Sequence, residues 1–253
     1  MKNSILLGLI LFISLSSCNN AGRSDHSLTL EEYQERGMPD YNKVWSMQDY
    51  STAFYVLNTL KYENAKALPV RGSEKSGKLF SRMISIDNLF FLQDETLPLH
   101  AKADRIKWFV NTLMELKVAY TSPGPGGEQY YVRELMDIDI FRVSVAHKML
   151  DLGQQINASE DPSDVVMQSD YPQIQRMYLD ILRELFELQQ DESAFPRETL
   201  ELLSDSLSAS LRANMVWFDP DASEKIKQEM LEVMDKTSSR KIKMEYKELT
   251  ELL

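Results

Sequence analysis

The stretch QIQRMYLDILRELFELQ, residues 173–189, decides the fold class of this chain. Its apolar residues recur at alternating spacings of four and three positions, which is the period of one face of an α-helix. The polar residues between them fall on the other faces. The stretch therefore predicts an amphipathic helix with a narrow apolar seam, formed by Ile174, Tyr178, Ile181, Leu185 and Leu188.

The same period continues on both sides of this segment. Further helices are predicted from Thr29 to Gly37, over 46–64, 73–85, 88–93, 99–120 and 128–155, and from Pro196, Asp219 and Ser239 onwards. Thr29, Ser46 and Asp87 are the expected N-caps of three of them. No segment alternates strictly between apolar and polar residues over six positions, as a half-buried strand would. Short links between helices favour antiparallel neighbours. We therefore expect an all-α fold, an irregular multi-helix bundle, with a short α-solenoid as the alternative.

The clearest interruption of the helical pattern is Ser122-Pro123-Gly124-Pro125-Gly126-Gly127. Proline and glycine at this density end helices, so 122–127 is interpreted as a linker. It divides the chain into an N-terminal helical half, 28–121, and a C-terminal helical half, 128–253. The two halves are expected to form either separate domains or one domain together.

The first residues have the pattern of an export signal. Met1-Lys2-Asn3 carries a positive side chain, and the apolar run that follows, 5–15, is too short to cross a hydrocarbon core about 30 Å thick. A charged start, a short apolar middle and small residues at the end are typical of a cleaved signal peptide. Residues 1–17 are therefore predicted to be removed.

Leu15-Ser16-Ser17-Cys18, at the end of this run, resembles the lipobox of bacterial lipoproteins. The resemblance implies that Cys18 becomes the first residue of the mature chain and carries more than one acyl chain. Several chains make a stable anchor, because each buried methylene contributes about 0.8 kcal/mol. Cys18 is the only cysteine, so no intrachain disulfide can use it.

The residue after the cysteine bears on location. In lipoproteins of bacteria with two membranes, an aspartate there signals retention at the inner membrane. Asn19 therefore favours the outer membrane, and the absence of an acidic cluster over 19–24 favours its periplasmic face. Residues 18–27 are polar and rich in small residues, which predicts a flexible tether between the lipid and the folded part.

The charge of the chain limits its partners. The formal net charge is −11, and it becomes −12 when Lys2 leaves with the signal. An acidic surface repels a phosphate backbone unless its cations are concentrated in one place. No basic stripe with interleaved aromatic residues occurs, so nucleic acid is not expected as a partner.

The usual catalytic and metal-binding patterns are missing from the sequence. The three histidines form neither His-x-x-x-His nor Glu-x-x-His. Asp137 and Asp139 are two positions apart, so they do not share a helix face. The acidic stretch 219–224 lacks the glycine of a calcium loop and is explained by Asp219 as a helix N-cap. No catalytic residue, cofactor or metal is predicted.

Four aromatic residues remain as candidates for an interface or for the lining of a ligand site. They are Trp45, Trp108, Tyr131 and Trp217. Tryptophan and tyrosine suit such sites because each combines a large apolar face with a polar tip. Packing in the core is the alternative for each of them.

The sequence thus predicts a lipid-anchored helical binding or scaffolding protein of the cell envelope, which holds a protein partner near the membrane. One alternative is an envelope enzyme, such as a hydrolase, whose site forms only in the fold. Another is a carrier of a small ligand, with an apolar cavity lined by Phe90, Phe91, Trp108 and Tyr131. A pocket of several hundred Å³ with a few polar groups would favour the carrier. A flat apolar patch would favour a protein partner.

Overall fold

The computed structural model describes residues 25–121, 130–193 and 195–253, and within these ranges the regular secondary structure is helical, without a β-strand. The expected all-α fold is confirmed. In chain order the α-helices are α1 (Leu30–Glu35), α2 (Met47–Glu63), α3 (Gly77–Met83), α4 (Leu99–Tyr120), α5 (Val132–Asn157), α6 (Val165–Gln168), α7 (Tyr171–Gln189), α8 (Arg197–Asn214), α9 (Pro220–Lys236) and α10 (Arg240–Leu252). Short 3-10 helices are Ala65–Ala67, Ile86–Gln93 and Met215–Trp217.

Several predictions fall on residues outside the described ranges. These are the signal peptide 1–17, the lipidated Cys18, the tether as far as residue 24, and the linker 122–127. Within the described ranges, no helix combines the length and the apolar composition that crossing a bilayer requires.

Helix α5 is the centre of the bundle. It packs against α4 from the N-terminal half and against α7 and α8 from the C-terminal half. Helix α2 packs on the other side of α4, while α9 and α10 pack on α7, on α8 and on each other. The buried apolar side chains of both halves form one continuous cluster. The described parts of the two halves therefore share a core.

Side-chain contacts fix the directions of the helices around α5. Lys117 of α4 contacts Asp139, and Arg142 contacts Glu184 of α7, so both neighbours run antiparallel to α5. Helix α2 ends beside the end of α4, where the Lys61 Nζ donates to the carbonyl of Val118 at 2.9 Å. The near end of the bundle is defined here as the end that holds the start of α5 and the C-termini of α2, α4 and α7. The opposite end is the far end.

The helix starts predicted from capping residues are confirmed. Thr29 and Ser46 each form a reciprocal capping box with the acidic residue three positions later. The Asp219 carboxylate accepts from the Ala222 amide at 2.7 Å, and Pro220 occupies the first turn of α9. These interactions lie within four residues, so the sequence alone specifies them.

Some boundaries differ from the prediction. The helix expected over 73–85 is limited to Gly77–Met83, because the Ser73 hydroxyl accepts from the amides of Lys75 and Ser76 and holds a turn there. The stretch expected as 88–93 is a 3-10 helix that begins at Ile86 and is capped by Ser85 instead of Asp87. The short helix α6 was not predicted, and it lies between the segments expected to be helical over 128–155 and 173–189.

The tether predicted over 18–27 is shorter at its C-terminal end than expected. Ser27 is buried, and its hydroxyl accepts from the Ser76 hydroxyl at 2.8 Å. The Asp25 carboxylate accepts from the hydroxyls of Ser27 and Ser73. Burial would raise the pKa of Asp25, but these hydrogen bonds and the charge of Lys75 lower it. Residues 25–27 are therefore part of the folded unit.

Candidate functional site

An open groove of about 720 Å³ runs along the surface between α5, α8 and the segment around the start of the second 3-10 helix. Its apolar walls come from that segment and from α5. The groove is lined by Ile84, Ile86, Asp137, Ile140, Phe141, Val143, Ser144, His147, Lys148, Ser206, Ala209 and Ser210.

The groove exists because α8 presents small side chains there. Residues 204–210 read SDSLSAS, and Ser206, Ala209 and Ser210 face the groove. The leucines at 203, 207 and 211 point into the core and are fully buried. Helix α8 is thus anchored by its leucine seam, while its small residues leave space against Ser144 and Phe141 of α5.

A buried polar network lies behind the small residues of α8 that form the floor of the groove. The hydroxyls of Tyr178 and Ser210 are 2.6 Å apart. The Asn214 amide nitrogen donates to the Ser210 carbonyl at 2.8 Å and to the His147 Nδ1 at 2.7 Å. Burial raises the pKa of Tyr178 to about 12, so its hydroxyl stays protonated. The network joins α5, α7 and α8 and fixes the groove wall.

His147 is the residue of this network that reaches the groove. Because Nδ1 accepts from the Asn214 amide, the proton of the neutral ring lies on Nε2. That nitrogen is 3.5 Å from the Asp151 carboxylate. The ring is therefore oriented on both sides, and its exposed fraction of 25% gives a groove occupant access to it.

Charged groups mark the two ends of the groove. At the near end, Arg71 Nε lies 3.0 Å from the Asp137 carboxylate. Burial raises the pKa of Asp137, and the charge of Glu134 adds to that effect, while Arg71 opposes it. Towards the far end, Lys148 Nζ lies 3.6 Å from the Asp151 carboxylate. An occupant thus meets apolar walls between two polar ends.

A second polar cluster connects α4, α5 and α7 outside the groove. Asp139 is buried and accepts from Lys117 at 2.9 Å and from Arg142 at 2.8 Å. Glu184 accepts from the same two cations. Two acids and two bases cancel here, which is the usual requirement for burying charge. The cluster therefore joins the two halves of the chain.

The structure separates the four aromatic residues that were proposed as interface or ligand-lining. Trp45 and Tyr131 are each 1% exposed and pack in the core, so they offer no surface to a partner. Trp108 is partly buried against the core. Trp217 is 48% exposed at the far end. None of the four lines the groove.

The residues proposed to line the cavity of a small-ligand carrier do not line the groove. Phe91 is buried and Phe90 is 53% exposed, so adjacent residues of the 3-10 helix point to opposite sides. Tyr131 uses its hydroxyl to bind backbone atoms of residues 65 and 68. The apolar type of these residues suggested a cavity lining, but Phe91 and Tyr131 pack in the core.

The two aspartates at 137 and 139 do not act together. Asp137 pairs with Arg71, whereas Asp139 points into the cluster with Lys117 and Arg142. Within the described ranges, no three histidine, cysteine or acidic side chains are placed to hold a metal ion.

The groove was missed because no single segment encodes it. The usable signal was the small-residue run at 204–210 beside a leucine seam, together with Ser144 on an otherwise large apolar face. Which helix faces which can be known only from the fold.

Comparison with protein-family models, with curated proteins and with solved structures finds no match to this chain.

Proposed function

We propose that this chain is a lipid-anchored binding protein of the bacterial cell envelope, which holds a segment of a partner protein in the groove between α5 and α8. The observation that carries the proposal is the groove itself. It combines apolar walls, small residues on its floor and a histidine oriented by Asn214 and Asp151.

The shape of the groove favours a linear segment over an enclosed ligand. From Asp137 to Lys148 it follows eleven residues of α5, which is about 16 Å at the rise of an α-helix. It is open to solvent along this length. Amphipathic helices bind to such grooves through apolar residues spaced three or four positions apart. A helix of about three turns matches the length.

The proposed lipid anchor would hold the groove close to partner proteins at the membrane. Acylated Cys18 would place the domain at a membrane. Asn19, in place of a retention aspartate, favours the outer membrane, and the lack of an acidic cluster over 19–24 favours its periplasmic face. Tethering raises the local concentration of the groove near membrane partners without new contacts. A moderate intrinsic affinity then suffices for function.

The proposal is tested by photo-crosslinking from the groove in living cells. A photoreactive phenylalanine analogue replaces Ile86, which is 46% exposed and lines the groove. The matched control places the same analogue at Tyr55, which is 75% exposed on α2. We expect a discrete crosslinked protein from position 86 and none of the same mass from position 55.

Two further variants make the test specific. Ala209→Trp fills the groove from an exposed position, and Thr59→Trp adds the same side chain on α2. We expect Ala209→Trp to abolish the crosslink, Thr59→Trp to leave it, and Cys18→Ala to weaken it. A crosslink that persists in folded Ala209→Trp contradicts groove binding. A co-purifying small molecule that Ala209→Trp displaces would establish the carrier alternative instead.

A further inference from the structure

The point at which the chain leaves the folded unit is fixed. Asp25 is held by the hydroxyls of Ser27 and Ser73, and its carbonyl accepts from the Lys75 Nζ at 3.3 Å. Seven residue steps separate it from Cys18. A fully extended chain covers at most about 3.6 Å per residue, so the proposed acyl anchor lies within about 25 Å of Asp25. This end of the domain cannot move far from the membrane.

Exposed lysines surround this exit point. Lys66, Lys75 and Lys78 lie on one short surface segment, and none of them forms an ion pair with a described carboxylate. Acids lie nearby as well: Glu74 is on the same segment, and the charge of Lys75 acts on Asp25 and on Glu32, whose carboxylate accepts from the amide of Thr29 at 2.7 Å. The Lys66 Nζ lies over the Tyr130 ring, 4.9 Å from its centroid, and the Lys75 Nζ donates to the Asp25 carbonyl. Neither contact neutralises the ammonium charge, so these lysines can still attract phosphate, which lysine binds as a point charge.

The exit point lies at the near end of the bundle. Ser73 is two residues from Arg71, which pairs with Asp137 in the first turns of α5. The far end is about 24 Å from Asp137 along α5, because Gly153, sixteen residues later, packs beside Tyr171 at the start of α7. Trp217 is also at the far end, where its carbonyl accepts from Gln175.

We propose that residues 64–78 form the surface that rests on the bilayer, with Lys66, Lys75 and Lys78 contacting the phosphates of lipid headgroups. The inference rests on the lipid anchor of the proposed function and adds an orientation to it. The groove then starts near the membrane at Asp137 and runs away from it. Trp217 faces away from the bilayer.

Energy transfer from two labelled positions tests this orientation. The lipidated full-length protein, purified from membranes and reconstituted in vesicles containing phosphatidylglycerol, carries a donor on Glu74→Cys or on Glu224→Cys. Both positions are exposed, and Glu224 is at the far end because α9 runs parallel to α7, with Gln190 beside Lys236. With an acceptor on the headgroups, we expect several-fold greater transfer from position 74. Equal transfer, or greater transfer from position 224, overturns the proposal.

A charge-reversal pair tests the role of the lysines. The triple variant Lys66→Glu, Lys75→Glu, Lys78→Glu should lose most of the difference between the two labels. The matched triple Arg176→Glu, Lys225→Glu, Lys227→Glu, at the far end, should keep it. If both triples behave as the parent protein, the lysine contacts are excluded.

Thiol labelling of the unmutated chain distinguishes a wrong orientation from a missing lipid anchor. Cys18 is its only cysteine, so an acylated protein takes up no thiol label. Labelling of the unmutated protein, or its failure to float with vesicles, would contradict the lipid anchor. An anchored protein with equal transfer from both positions contradicts only the orientation.

Discussion

The hydroxyl of Tyr131 is both donor and acceptor in the core of the near end. It donates to the Ala65 carbonyl at 2.7 Å and accepts from the Leu68 amide at 3.1 Å. Tyr33 and Tyr120 hold the same segment through the carbonyls of Ala67 and Pro69. Three tyrosines thus satisfy backbone groups of residues 65–69, where the single turn of 3-10 helix leaves them without helical partners.

Replacing Tyr131 with phenylalanine tests this role. The variant leaves the buried amide of Leu68 and the half-buried carbonyl of Ala65 without their partner, so the free energy of unfolding should fall by about 1–3 kcal/mol. Urea titration followed by circular dichroism measures the change. Tyr62→Phe is the control, because Tyr62 is 85% exposed and should lose almost nothing. An equal, small effect at both positions would show that the hydroxyl of Tyr131 contributes no stability.

Glu184 makes the stability depend on pH. Burial would raise its pKa, but hydrogen bonds from Arg142 and the charge of Lys117 outweigh burial and lower it to about 2. A lowered folded-state pKa gives stability that is complete above the ordinary value of 4.5 and is lost as the pH falls towards 2. The side chain keeps 41% exposure, so solvent screens part of the effect.

The expected signature is a difference that disappears in acid. Glu184→Gln should lower the free energy of unfolding by about 1 kcal/mol at pH 7. The gap from the parent protein should close between pH 4.5 and pH 2 in denaturant titrations. Glu187→Gln, on an exposed position of the same helix, provides the control and should show no such gap. A gap for Glu184→Gln that stays constant down to pH 2 would exclude the ionic contribution.

At the scale of one element, α9 shows how a few residues start a helix. Asp219 accepts from the Ala222 amide, Pro220 fits the first turn, and Asp221 adds negative charge near the positive end of the helix dipole. The apolar residues Ile226, Met230 and Val233 then fix α9 against α7 and α10. Local signals set where the helix begins, and packing keeps it folded.

The cap and the charge can be separated by two variants. Asp219→Ala removes both the hydrogen bond and the charge and should cost about 1 kcal/mol. Asp221→Ala removes only a charge in the first turn and should cost a few tenths of that, about 0.3 kcal/mol. Thermal unfolding monitored by circular dichroism gives the comparison. Equal losses would mean that the dipole, and not the hydrogen bond, stabilises the start of α9.

At the scale of the whole molecule, what the sequence predicts follows the range of the interactions. The caps at Ser46 and Asp219 were predicted because donor and acceptor are three residues apart. The burial of Tyr131 was not predicted, because its hydrogen-bond partners, at positions 65 and 68, are more than 60 residues away. Tyr131 was proposed as a ligand-lining residue instead. Aromatic type alone does not distinguish a buried tyrosine from an exposed one.

The groove was also not predicted, because it depends on contacts between distant segments of the chain. Ser144 and Ser210 line it only because α5 and α8 pack side by side, which neither helix encodes alone. The ordered end of the tether was missed for a similar reason, since Ser27 finds its partner at Ser76. Helix type is local information, but the surfaces that bind other molecules are assembled from distant parts of the chain.

Both the tethered groove and the orientation on the bilayer require a lipid on Cys18. Mass spectrometry of the amino-terminal peptide from the native membrane protein measures this directly. We predict a mature chain that begins at Cys18 and carries acyl chains on that residue. A free thiol at Cys18, or a chain that begins at another residue, would contradict the account.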